Sequence, residues 1–198
     1  MGNFLVLNCH DAIILRDSAS AFEAYEGGVI NCHDMIISPK MQGALLSKGM
    51  TVNCHDARIL DVKGEIAALP ENAVIDRQVD YIGKFVLAKG NLILRPEGAD
   101  SLDGIEGIHV SGTFFYPESY SLGRLNNPLS DTRAYPDEMR VITGGKTYDT
   151  ASGLETNGAY YISGKLRITE EDVAGYIAEN NIRFICESSI LLPYIDKL

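Results

Sequence analysis

Tryptophan is absent from this chain of 198 residues, and positive charge is scarce. Seventeen Lys and Arg stand against 27 Asp and Glu, a net charge of −10. A phosphate backbone needs a basic face, so nucleic acid is excluded as the expected partner. Long apolar runs are missing too: none approaches the ~20 residues of a membrane-spanning helix, so no membrane association is expected. Residues 1–15 lack the basic start, long apolar centre and small-residue cleavage site of a secretory signal. A cytoplasmic chain with reduced cysteines is the expectation. No GxSxG, Walker A, GxGxxG, HExxH or CxxC pattern occurs, so the sequence calls for neither an enzyme nor a cofactor. The composition is 45% hydrophobic, enough for a sizeable core and too much for a disordered chain.

What is present is a repeat. Three of the four cysteines fall in one tetrapeptide that occurs three times, as Asn8-Cys9-His10-Asp11, Asn31-Cys32-His33-Asp34 and Asn53-Cys54-His55-Asp56. The intervals are 23 and 22 residues, in the range of solenoids and other arrays. Apolar spacing extends the alignment from Leu7, Cys9, Ala12, Ile14 to Ile30, Cys32, Met35, Ile37 and Val52, Cys54, Ala57, Ile59. It recurs without the tetrapeptide at Leu87, Lys89, Leu92, Leu94, at Ile108, Val110, Thr113, Phe115, at Tyr161, Ser163, Leu166, Ile168 and at Phe184, Cys186, Ser189, Leu191. A worn row stands at Val141, Thr143, Lys146, Tyr148.

Proline and glycine support this register. Pro39, Pro96, Pro117 and Pro193 follow the rows by two residues, where proline opens a helix or turns the chain. The segment Thr169-Glu170-Glu171-Asp172 fills that place in another row and reads as an N-cap with an acidic first turn. Gly27, Gly49, Gly158 and Asn181 precede rows by three residues, where a left-handed residue closes a helix. Helices are predicted near 18–25, 39–47 and 170–179. The fold expected is α/β: a repeat solenoid with a parallel β-sheet and short helical returns. It forms one domain over 1–198, of about seven or eight units, with longer connections near 61–84 and 118–140. A parallel β-helix is the alternative.

Strand residues alternate between faces. If the cysteines point inward as small buried hydrophobes, Asn8, His10, Asn31, His33, Asn53 and His55 point outward. Cysteine and histidine then lie on opposite faces, which removes a thiol nucleophile activated by its neighbour. Stacking builds an asparagine column beside a histidine column. His10, His33 and His55 are therefore candidate ligands for a divalent transition metal, two adjacent rings per ion, with Asp11, Asp34 and Asp56 as further ligands or orienting groups. The plainer reading is a copied surface whose aspartates satisfy backbone donors at the bend. Asn8, Asn31 and Asn53, with Tyr160 from a tyrosine-rich second half, are the candidate contact surface.

The spaced rows resemble leucine-rich-repeat proteins, in the manner of divergent bacterial members. Where that family places its ladder asparagine, this chain has Ala12, Met35, Ala57, Leu92 or Leu166, with Asp11, Asp34 and Asp56 one residue earlier. The resemblance implies a scaffold for protein–protein contact or self-assembly. A protein partner or a second copy, joined through an uncapped terminal repeat, is the expected occupant. The competing expectations are a metal-binding protein or metal-dependent enzyme using the histidine column, and an enzyme whose site lies in the two long connections.

Overall fold

The computed structural model describes residues 3–15, 19–125 and 131–191. The chain divides into two compact units, Met1–Gly64 and Glu65–Leu198. Both are α/β, and every strand ladder among the described residues is parallel.

The first unit contains β1 (Asn3–Asn8), β2 (Asp11–Ile14), β3 (Tyr25–Ile37), α1 (Pro39–Ser47) and β4 (Met50–Ile59). β1 and β2 pair along one side of the long β3, and β4 pairs along the other. The helix α1 has the bounds the sequence predicts. Pro39 opens it with its φ already set, and the Ser38 hydroxyl caps it by accepting from the Met41 amide at 3.2 Å. Gly49 follows at φ +65°, in the left-handed region that a side chain resists. Met41 and Leu45, one turn apart, face the core with Ile30, Met35, Ile37 and Met50. Each such fully buried side chain contributes roughly 1.5–3 kcal/mol.

Three expectations fail in this unit. A short 3-10 turn, Ala19–Phe22, replaces the predicted first helix, and the chain is already extended at Tyr25. Gly27 lies inside β3 rather than capping a helix. Leu7 and Ile59, assigned to the inward rows, are 38% and 52% exposed.

The second unit holds β5 (Ile66–Leu69), β6 (Ala73–Ile75), β7 (Phe85–Ala88), β8 (Leu92–Leu94), β9 (Gly107–Val110), β10 (Thr113–Pro117), β11 (Asp131–Tyr135), β12 (Arg140–Ile142), β13 (Lys146–Tyr148), β14 (Ala159–Ile168), α2 (Glu171–Glu179) and β15 (Arg183–Leu191). The chain steps between two sheets, β5-β7-β9 and β6-β8-β10-β11, then builds a third around β14. Both segments read as long connections therefore hold strands: β5 and β6 in the first, β11 in the second.

Asparagines and glycines make the corners. Asn72 and Gly90 adopt φ 54° and +72°. The Asn72 and Asn91 side-chain oxygens accept the Asn91 and Thr113 backbone amides of the next turns, at 3.1 and 2.9 Å. A Cβ on Gly112 would come within 2.6 Å of Asn91 Oδ1.

These corners explain a register error. The structure pairs Val86 with Ile108 and Ala88 with Val110, then Leu92 with Phe114. Apolar spacing instead aligned Leu87 with Ile108 and Leu92 with Thr113. Buried positions straddle this corner by four residues (88 to 92, 110 to 114), whereas Cys32 and Met35 are three apart. A one-residue slip flips a strand's faces. The same slip occurs in β14, where the register shifts between Ile162 and Lys165. Ser163-Gly164 forms that bulge, Tyr160 and Ile162 pair with Phe184 and Cys186, and Tyr161 packs in the other direction, against Phe115.

Helix α2 buries Val173 and Ile177 as expected. Its N-cap is Glu170, and the Thr169 hydroxyl bonds the Tyr148 carbonyl instead. Asn181 is left-handed at φ 51°, as expected, while Asn157 (φ 58°) takes the place foreseen for Gly158. Pro193 lies outside the described residues. Among those described, no helix is long and apolar enough to cross a membrane.

Candidate functional site on the histidine face

The three tetrapeptides stand side by side. Asn8 pairs with Asn31 and Asn31 with Asn53 in the backbone register. Their carboxamides follow: Asn31 Nδ2 donates to Asn8 Oδ1 at 2.7 Å, and Asn53 Nδ2 donates to Asn31 Oδ1 at 2.9 Å. One N–H and one oxygen lone pair of Asn31 are thus used within the ladder. This ladder ties the three strands together in register, and part of the hydrogen-bonding capacity of Asn8, Asn31 and Asn53 is taken up within it.

Beside it the imidazoles form a column. His10 and His33 stack at 5.1 Å with planes 13° apart, and His33 and His55 at 5.0 Å with planes 12° apart. Stacking in this range is favourable for neutral aromatic rings. Cys9, Cys32 and Cys54 point the other way, into the core beside Ile30 and Met35. All three are free, as is Cys186. Burial, with the neighbouring Cys54 and Cys9 adding, pushes the Cys32 thiol up from its ordinary range. Desolvation disfavours the thiolate that nucleophilic attack needs.

The bend between the inward residues Cys9 and Ala12 sets the chemistry. Two inward positions three apart break strand alternation, so two successive residues, His10 and Asp11, share the outer side. The His10 carbonyl marks the bend by accepting both the His33 and Asp34 amides, at 2.8 and 3.1 Å. His10 Nδ1 then donates to Asp11 Oδ1 at 2.8 Å, and His33 Nδ1 lies 3.2 Å from Asp34 Oδ1. Of the two roles open to Asp11 and Asp34, orienting the rings and satisfying backbone donors, these contacts match the first. The Asp11 hydrogen bond, then the charges of Asp11 and Asp34, raises the His10 pKa above the ordinary histidine value.

The third rung departs from this pattern. Asp56 Oδ2 lies 3.4 Å from Arg58 Nε. The residues in register with Arg58 on β3 and β2 are Ile36 and Ile13. That difference is visible in the sequence, where only the third copy of the tetrapeptide is followed two residues later by a base. One group of potential ligands results among the described residues: His10, Asp11 and Asp34, with donor atoms within 4.8 Å of one another. His55 stays outside it.

Tyr160, expected on the contact surface, is 3% exposed. Its ring stacks on Phe184 and its hydroxyl accepts the Glu155 amide at 2.9 Å. Tyr135 and Tyr148 are buried as well, and desolvation pushes Tyr135 up to about 12. The tyrosines of the second half chiefly fill its interior.

The two long segments do contribute to a depression of about 400 Å³ in the second unit, lined by Asp76, Arg95, Glu97 and Arg140. Its cations are already engaged. Arg95 donates to the Met139 carbonyl at 3.1 Å, and Arg140 pairs with Glu155. No family model, curated protein or solved structure matches the chain.

Proposed function

We propose that the chain is a non-catalytic repeat scaffold that acts through protein–protein contact and self-associates along the outer edge of β1. One observation carries this reading. Among the described residues β1 pairs on one side only, with β3, and it exposes Phe4 and Val6 by 64% and 62%. An open strand edge carries a row of unpaired amides and carbonyls, and apolar side chains on it favour association. A two-fold axis lets one edge pair with its own copy in antiparallel register, so a second copy is the natural occupant. The separation of thiols from imidazoles supports the non-catalytic part.

Within each unit the ladders suit a repeat architecture. Leucine-rich repeats use one strand and a helical return per turn. The alternation between sheets β5-β7-β9 and β6-β8-β10-β11 favours the parallel β-helix, which uses more than one strand per turn.

Light scattering and sedimentation velocity up to high micromolar concentration test the contact. Wild-type protein is expected to form a concentration-dependent dimer. Val6→Lys places a charge on an exposed edge position and is expected to return it to monomer with unchanged circular dichroism. A wild-type protein that is strictly monomeric throughout, or a Val6→Lys variant that dimerises as well as wild type, contradicts the reading.

A further inference from the structure

The geometry points to a binding site for a divalent first-row transition cation, of the zinc, cobalt or nickel class, formed by His10, Asp11 and Asp34 at the junction of the first two tetrapeptides. It goes beyond the scaffold reading and does not depend on the edge contact.

The histidine column alone does not make this site. Ring centroids along it lie 5.0–5.1 Å apart, and among the described residues the donor atoms gathered within 4.8 Å of one another include one ring of the column, His10. The bend supplies what the column lacks. It turns Asp11 to the side of His10, with Nδ1 and Oδ1 2.8 Å apart, and the parallel register sets Asp34 opposite Asp11. The three donor atoms fall within 4.8 Å of one another. Tetrahedral coordination at bond lengths of ~2.1 Å needs separations of ~3.4 Å, so small rotations of exposed side chains close the set. His10 and Asp11 are 77% and 41% exposed and free to make them. Water completes the coordination. On binding through Nδ1, the neutral ring carries its proton on Nε2, and the bond to Asp11 is exchanged for shared ligation.

The donor set selects the class of ion. One imidazole nitrogen and two carboxylates suit borderline cations, whereas magnesium and calcium prefer oxygen throughout. The thiolates that would favour softer ions face the opposite side of the sheet. The third rung does not repeat the site, because Arg58 holds Asp56 and brings a positive charge beside it.

Calorimetry with zinc on metal-stripped, tag-free full-length protein is the test, with cobalt absorption as a second readout. One ion per chain is expected. His10→Ala and Asp34→Asn are each expected to weaken binding tenfold or more, and His55→Ala to leave it within twofold of wild type. All three positions are exposed or half-buried, and unchanged circular dichroism checks the fold. Absence of zinc heat, wild-type affinity in either His10→Ala or Asp34→Asn, an equal loss in His55→Ala, or a thiolate-to-cobalt charge-transfer band overturns the assignment.

Discussion

Gly28→Val is expected to strip β1 from the first unit and to cost about 2–4 kcal/mol in urea denaturation, the upper range for forced overpacking. Leu5, Gly28 and Met50 stand side by side on β1, β3 and β4. A Cβ at Gly28 would lie 2.6 Å from the Leu5 carbonyl oxygen, 2.9 Å from Leu5 Cβ and 2.8 Å from Met50 Sδ. The first of these is backbone and cannot rotate away. Relief requires β1 to move, which breaks the ladder that carries Asn8 to Asn31. Gly43 provides the control. It lies in α1 with nothing within 4 Å of its would-be Cβ, and Gly43→Ala is expected to stabilise by ~0.5–1 kcal/mol through helix propensity. A Gly28→Val midpoint equal to wild type would mean that the close approach of these strands is wrong.

The second large effect separates two isoleucines that pair directly in the β3–β4 ladder. Ile37 is 3% exposed and Ile59 is 52% exposed. Ile37→Ala removes buried methyl groups and leaves a cavity, at a cost of about 2–4 kcal/mol. Ile59→Ala removes groups already half in water and is expected to cost less than ~1 kcal/mol. Chemical denaturation of both variants under one set of conditions checks the contrast. Equal costs would show that the two positions share one environment, as the row spacing alone suggests.

That contrast marks how far the sequence could be read. Identical tetrapeptides align without gaps, so the Asn8, Asn31 and Asn53 ladder and the facing of Cys32 and His33 followed from periodicity. Helix α1 followed from Pro39 and Gly49, because helix start and stop signals are local chemistry. Exposure at Leu7 and Ile59 was not legible, since it depends on what packs beyond a strand and not on its spacing. The corners at Gly90 and Gly112 shifted the count between buried positions, and spacing arguments have no means of detecting an added residue outside the strands. The bulge at Ser163-Gly164 misplaced Tyr160 and Tyr161 for the same reason. The metal group was half legible. His10 and Asp11 were visible as candidates. Asp34 was visible too, but its convergence with His10 and Asp11, in place of a second histidine, needed the bend between Cys9 and Ala12 that turns consecutive residues to one side, and Arg58 distinguishes the third rung from the first two.

The three tetrapeptides stack in register as neighbouring rungs. With four histidines in the chain, nuclear Overhauser contacts between imidazole ring protons test it directly. Cross-peaks are expected between His10 and His33 and between His33 and His55, whose rings lie 5.1 and 5.0 Å apart. None is expected between His10 and His55, which are separated by the ring between them. Absence of both neighbour contacts, or a direct contact between His10 and His55, would contradict the account.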